Sequence, residues 1–181
     1  MKGIVFTEFL ELVEHKYGLE MVDLIIEKSN LSSKGAYTSV GTYDFSEMLA
    51  LLSHLSENTN ISIDDLLLIY AEHFFSVLAK SHPALISQYT NPIDMLASIE
   101  NHIHVEVLKI YPEATLPSFE ILEKTEDSIT MIYKSSRAMS YFGLGLMNKT
   151  FEHFNTKANI DMEKLKEDGT EVQFVIMQNN E

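Results

Sequence analysis

Residues 118–137 read SFEILEKTEDSITMIYKSSR, and at this stretch the hydrophobic pattern of the chain changes. Two strand-like runs, SFEILEK and SITMIYKS, are joined by the polar segment TEDS, a pattern typical of a β-hairpin. Pro112 and Pro117 separate this hairpin from the sequence before it. The stretch therefore predicts that an antiparallel sheet begins just after Pro117.

Working outward, the flanking sequence predicts helices before the hairpin and a second hairpin after it. Apolar residues at spacings of three and four predict helices over 3–15, 19–28, 44–56, 62–79 and 92–110, and a further helix over 139–154. Residues 159–177 predict the second hairpin, with its turn at Asp168-Gly169. We expect an α+β fold in which an N-terminal helical half packs on a C-terminal half with a four-stranded antiparallel sheet, as one domain over residues 1–181.

Composition narrows the classes of protein to consider. The chain has 13 Lys and Arg against 27 Asp and Glu, a formal net charge of −14, so nucleic acid and anionic membrane surfaces are poor partners. It contains no cysteine, which removes thiolate catalysis and cysteine metal ligands. Without a signal peptide or an apolar span, we expect a cytoplasmic protein. No G-x-S-x-G motif or P-loop occurs, and we expect no enzymatic activity.

A row of hydrogen-bond donors follows the second predicted strand. In an extended segment, Tyr133, Ser135 and Arg137 would project to one side over roughly 13 Å. Two hydroxyls and a guanidinium suit an elongated anion that carries carboxylates or phosphates.

Two of the seven histidines stand close together, and their meaning depends on the local structure. As a strand, this segment would place His102, His104 and Glu106 on one face, as in a non-haem metal enzyme. As a helix, it separates them, and the capped start at Asn91-Pro92 favours the helix. On that helix His104 shares a side with apolar residues that include Leu108. It would then either make a hydrogen bond in the core or act as an axial ligand to a cofactor iron.

The order and spacing of these residues resemble those of a known family. His104 lies thirteen residues before Pro117 and is followed by the Tyr-x-Ser-x-Arg motif YKSSR. This combination resembles the H-NOX family, the haem nitric oxide/oxygen binding domains related to the haem domain of soluble guanylate cyclase, and in particular its stand-alone bacterial members. The opening MKGIVFTEFLELVEHKYG is similar to the first helix of that family, and the likeness in layout extends over essentially the whole chain.

The resemblance implies a cofactor and the residues that bind it. The cofactor would be haem b, iron protoporphyrin IX, buried between the two halves, with His104 as the proximal ligand of the iron. Tyr133, Ser135 and Arg137 would bind the haem propionates. Pro117 would press against the macrocycle, and Val5 would contact it from the N-terminal helix.

The resemblance also implies which gas is sensed. The position at which some relatives carry a tyrosine that holds oxygen is Phe142 here, and Phe9 and Phe74 align with the rest of the distal pocket. Phenylalanine cannot donate a hydrogen bond, so we expect nitric oxide to bind a five-coordinate ferrous haem, and carbon monoxide to bind as well. An oxygen-binding sensor is the alternative, since a one-residue shift of the helix would bring Tyr141 into the pocket.

The expected signal is a change at the proximal side. Nitric oxide weakens the bond opposite to it, so the link between His104 and iron would lengthen or break and the domain would change conformation. Because the sequence runs only to Glu181, just past the second hairpin, we expect no output domain. By resemblance, the partner would be a sensor histidine kinase of a two-component system or a cyclic-di-GMP enzyme.

Overall fold

The structure, a computed structural model, describes residues 1–179 and contains two compact units. The first unit is Met1–Phe74, and the second begins at Phe75. Within residues 1–179, no helix combines the length and the apolar character needed to cross a bilayer.

The first unit is helical, as predicted. Its helices are α1 (Gly3–Tyr17), α2 (Leu19–Lys28), α3 (Phe45–Thr59) and α4 (Ile63–Ser81), the last of which continues past the unit boundary. Side-chain caps explain two of the starts: Asp44 accepts a hydrogen bond from the Ser46 amide, and the Ser62 hydroxyl accepts one from the Asp65 amide at 3.1 Å. The sequence therefore predicted these helices well, with differences confined to their ends.

The start of α1 depends on a glycine. The Gly3 amide donates to the Gly41 carbonyl at 2.8 Å, and a Cβ atom at Gly3 would lie 1.8 Å from the Thr38 carbonyl oxygen. Only glycine allows the 38–41 loop to pack this closely against the helix. Behind this contact, Phe6 stacks on Tyr37 with ring centroids 4.4 Å apart.

In the second unit, the single helix expected over 92–110 is interrupted, and that prediction was wrong. A short helix, α5 (Pro83–Ile86), precedes this segment. The segment itself forms α6 (Pro92–Ala97), a π-helical turn (Ile99–Ile103) and α7 (His104–Ile110). The Ile103 amide donates to the Ser98 carbonyl at 3.2 Å, five residues back, while the Ser98 hydroxyl bonds the Met95 carbonyl at 2.7 Å. Such side-chain bonding to the backbone competes with regular helix formation.

The π-helical turn changes which side chains are buried. A turn closed by bonds to the fifth residue holds an extra residue, so α7 is rotated relative to the uninterrupted helix that the sequence predicted. Leu108, which was expected beside His104 on the apolar side, is 39% exposed. The predicted burial of α7 was therefore only partly correct.

The rest of the second unit is a sheet with one helix. Strands β1 (Ser118–Lys124), β2 (Ser128–Lys134), β3 (Lys157–Lys164) and β4 (Glu171–Asn179) form an antiparallel sheet in the order β1-β2-β4-β3, and α8 (Ser140–His153) precedes β3. Alternate residues of β2 and β4 are buried against α6 and α8, as expected for a sheet with one covered face. The α+β class and the four-stranded sheet are confirmed.

The second hairpin differs from its prediction at the turn. Strand β3 ends at Lys164 and β4 starts at Glu171, so the connection is longer than a two-residue Asp-Gly turn. The Gly169 amide donates to the Lys166 carbonyl at 3.0 Å, and Gly169 has a φ of 75°. A separate β-turn therefore closes this loop.

Candidate functional site

His104 is the first residue of α7, immediately after the π-helical turn. Its Nδ1 atom lies 3.1 Å from Oε1 of Glu100, and its side chain is 14% exposed. The same Glu100 oxygen accepts the backbone N–H of Phe119, at the start of β1, at 2.8 Å. The imidazole is thus largely buried and has a defined partner on one of its two nitrogens.

Burial determines the protonation state that His104 favours. Loss of solvation lowers the pKa of His104, and the nearby Glu100 carboxylate opposes this by favouring the charged ring; the net direction is downward. The neutral imidazole is the form that binds metals, so His104 is suited to hold an iron.

The arrangement required by a non-haem metal enzyme is absent from residues 92–110, because they are helical. His102 lies beside Tyr89, whose hydroxyl is 2.7 Å from its Nδ1, while Glu106 pairs with Lys109 and His104 pairs with Glu100. Within the described part of the chain, no group of three His, Cys, Asp or Glu side chains could hold a metal ion. The strand interpretation of this segment was therefore wrong.

The donor row also differs from its predicted form. Strand β2 ends at Lys134, and the next residues form a turn in which the Ala138 amide donates to the Ser135 carbonyl at 3.2 Å. Ala138 has a φ of 50°, so the backbone reverses there. The prediction of one extended segment from Tyr133 to Arg137 was wrong, because the Ser135 hydroxyl accepts the Arg137 amide at 3.2 Å and stabilises the turn.

Each side chain of the motif has a defined contact. Tyr133 is buried, its hydroxyl accepts the Met139 amide at 3.1 Å, and burial raises the pKa of Tyr133 so that it keeps its proton. Arg137 donates through Nη1 to the Thr115 carbonyl at 2.6 Å, two residues before Pro117. The motif therefore contacts both the start of α8 and the segment that leads into β1.

These contacts bring most of the predicted residues of the second unit together. The rings of His104 and Phe119 are 6.0 Å apart, and those of Phe119 and Tyr133 are 5.6 Å apart. Pro117 is half-buried next to Ser118, the first residue of β1. The imidazole, the hydroxyls and the guanidinium thus belong to one region built by α7, β1 and the turn after β2.

The other predicted residues lie in helices of both units. In the first unit, Phe9 and Phe74 are buried next to Tyr70, with ring centroids 5.4 and 5.7 Å from it, and Val5 is half-buried in α1. In the second unit, Phe142 is a half-buried residue in the first turn of α8.

The sequence reasoning missed two residues near these sites. Tyr70 is fully buried and donates its hydroxyl to the Val5 carbonyl at 2.6 Å. Its position four residues before Phe74 on α4 was a signal that could have found it. Glu100 was also missed, although its position four residues before His104 is the spacing of a helical side-chain pair.

The donor set fits a haem. A neutral imidazole whose Nδ1 is held by a carboxylate has Nε2 available for iron. The hydroxyls of Tyr133 and Ser135 and the guanidinium of Arg137 are suitable partners for carboxylates at the edge of a macrocycle. The fold and the donor set are those that a haem-binding domain requires.

Comparison with known proteins identifies the family. A family model described as Haem-NO-binding matches residues 2–162. The Fe(II) unliganded H-NOX protein from K. algicida is 70% identical, with a TM-score of 0.98 over 100% of this chain and 98% of that one. The IWP-051-bound H-NOX from Shewanella woodyi in the Fe(II)CO state is 34% identical, with a TM-score of 0.83 over 99% and 95%. The chain belongs to the Haem-NO-binding, or H-NOX, family of haem-based gas sensors.

More distant structures support the fold alone. The H-NOX protein from S. oneidensis in the Fe(II)NO state is 24% identical, with a TM-score of 0.90 over 99% of this chain and 100% of that one. No curated protein matched the chain.

Proposed function

We propose that residues 1–181 act as a single sensor domain that binds haem b through His104 and responds to nitric oxide. The observation that carries this proposal is the setting of His104: a largely buried imidazole whose Nδ1 lies 3.1 Å from a Glu100 carboxylate oxygen. An imidazole in this setting presents one lone pair to a metal. Bound ferrous haem would supply the iron at which the gas binds.

The propionates would be held by the motif after β2. Arg137 would contribute the charge and, with Ser135 and Tyr133, the hydrogen-bond donors. The Met139 amide occupies an acceptor position of the Tyr133 hydroxyl, whose own proton can still be donated to a carboxylate. Pro117 and Val5 would contact the macrocycle, where a proline ring needs no partner for an N–H group.

Selectivity for nitric oxide would follow from a distal pocket without a hydrogen-bond donor. Phe9, Phe74 and Phe142 carry no donor. The Tyr70 ring contacts those of Phe9 and Phe74, and its hydroxyl donates to the Val5 carbonyl at 2.6 Å. Burial and the nearby Glu8 raise the pKa of Tyr70, which keeps that hydroxyl protonated. Carbon monoxide would also bind, while oxygen would lack a stabilising donor unless Tyr141 supplied one.

The output would be carried by His104 and the helix it begins. His104 would hold the iron and thereby tie α7 to the cofactor, and the gas-binding chemistry that haem supplies would change the strength of this link and the freedom of α7 to move. This biases a two-state element by differential binding. The change would regulate a separate sensor histidine kinase or cyclic-di-GMP enzyme.

Absorption spectroscopy of purified protein tests this function. We expect the reduced protein to show a Soret band that shifts when nitric oxide is added. In air, the protein should form no oxygen complex. In His104→Ala, most of the Soret absorbance should be lost and should return with added imidazole, because a small ligand can replace the missing side chain.

His102→Ala is the matched control, since His102 lies two residues away and bonds Tyr89 instead. It should keep the wild-type spectrum. A colourless wild-type protein after haem reconstitution would overturn the proposal, and a stable oxygen complex in air would replace nitric oxide sensing with oxygen sensing.

A further inference from the structure

Glu100 occupies a position that the haem ligands alone do not explain. It lies within the π-helical turn, four residues before His104, and its side chain is 40% exposed. One oxygen atom, Oε1, is 3.1 Å from His104 Nδ1 and accepts the Phe119 amide at 2.8 Å. A single carboxylate oxygen therefore contacts both the candidate iron ligand and the start of the sheet.

We propose that Glu100 is the positioning residue of the proximal side: it orients the His104 imidazole towards iron, strengthens it as a ligand and couples it to β1. This inference rests on the proposed function, since it requires His104 to bind haem iron.

The orientation follows from hydrogen-bond chemistry. A carboxylate oxygen 3.1 Å from Nδ1 favours the tautomer of His104 that carries its proton on Nδ1, and Nε2 then presents the lone pair. Without such a partner the neutral ring would exchange between its two tautomers. A carboxylate on Nδ1 also pushes electron density towards Nε2, which makes the imidazole a stronger ligand.

The coupling follows from the second contact. The Phe119 amide belongs to the backbone of β1, whose next residues pair with β2, and Phe119 lies opposite Tyr133 in that pairing. Any movement of His104 that carries Glu100 with it must therefore stretch or break the bond to β1. Glu100 thus links His104 to β1, which in turn pairs with β2, the strand that carries Tyr133.

The first experiment needs no haem. In ¹⁵N NMR spectra of the apoprotein, the His104 ring should be protonated at Nδ1 in the wild type and should become a mixture of tautomers in Glu100→Ala. Amide hydrogen exchange at Phe119 should become faster in the same variant, because its acceptor has been removed. Glu100→Gln keeps an acceptor for both groups and should restore most of each signal.

The second experiment uses the haem-loaded ferrous protein. In resonance Raman spectra, the iron–histidine stretching band of Glu100→Ala should lie at lower wavenumber than that of the wild type. The band of Glu100→Gln should lie between these two positions. Loss of a partner behind a metal-binding histidine typically weakens metal binding by about 10- to 100-fold, so haem transfer to an excess of an apoglobin should be faster by about tenfold or more in Glu100→Ala.

The matched control is Glu106→Gln on α7, the helix that begins at His104. Glu106 pairs with Lys109 at 2.5 Å, so its replacement should leave the stretching band and the haem-transfer rate unchanged. If the iron–histidine band has the same position in the wild type and in Glu100→Ala, this inference is overturned and the proposed function is left intact. A wild-type protein without any iron–histidine band would overturn the proposed function, and the inference with it.

Discussion

At residue 142 a single side chain is proposed to decide which gas the domain holds. Phe142→Tyr would place a hydroxyl in the first turn of α8, at a position where this chain has only a phenyl ring. Because a donor stabilises the negative charge that builds on bound oxygen, we expect the reduced variant to keep an oxygen spectrum in air for at least about ten times longer than the wild type, a gain of about 1.4 kcal/mol.

Tyr141 provides the matched control for that change. It is the neighbouring residue in α8. Successive side chains of a helix point about 100° apart around its axis, so Tyr141 points in a different direction from Phe142. Tyr141→Phe should therefore leave the gas spectra unchanged. Oxygen binding that depends on Tyr141 in the wild type would show that the distal assignment of Phe142 is wrong.

At the level of elements, the π-helical turn sets the direction of His104. This turn holds an extra residue, so deletion of the exposed Asn101 should allow a regular α-turn to form with the direction of α7 preserved. Glu100 and His104 would then be three residues apart, a spacing at which helical side chains still meet. We expect the deletion variant to keep most of its Soret absorbance.

An alanine inserted after Asn101 makes the opposite change. The insertion adds a second extra residue to a turn that already has one more than a regular α-helical turn. It should therefore rotate α7 by about 100° about the helix axis. Circular dichroism should show that helix content is retained, while the Soret band is largely lost. Equal loss of the Soret band in the deletion and the insertion would contradict the role given to the turn.

At the scale of the whole molecule, the excess of acidic residues should make stability depend on salt. With a formal net charge of −14 at pH 7, like charges repel one another in the folded state, and salt screens this repulsion beyond a distance of about 10 Å at 0.1 M. We expect the Tm of the haem-loaded protein, measured by circular dichroism, to rise with sodium chloride by about 2–4 °C for each kcal/mol of repulsion removed.

Measuring the rise of Tm with sodium chloride at a second, lower pH provides the control. Near the sequence pI of about 4.8 the net charge approaches zero, so the increase of Tm with salt should largely disappear. A salt effect of the same size at both pH values would mean that salt acts through burial of apolar surface and not through the net charge.

The outcome for individual residues shows why parts of the site were predictable. The cap at Asn91 correctly indicated a helix, because its side chain accepts the Ile93 amide at 2.7 Å and this bond is local in sequence. The extended form of the YKSSR motif was wrong, because the turn after Lys134 depends on the local hydrogen bond to Ser135 and on a positive φ at Ala138, an uncommon conformation for alanine. Glu100 was missed because its second partner, Phe119, is distant in the sequence.

The sequence by itself determined the class of fold, the positions of most helices and strands, and the family motif, since periodicity, caps and motif spacing are local properties of the chain. Only the tertiary structure decided that a π-helical turn precedes His104, that Tyr70 directs its hydroxyl to Val5, and that Glu100 joins His104 to β1. Each of these depends on the packing of segments far apart in the sequence, or on competition between hydrogen bonds of similar strength. The free-energy differences between these alternative hydrogen bonds depend on the surrounding packing, so they cannot be read from a local sequence pattern.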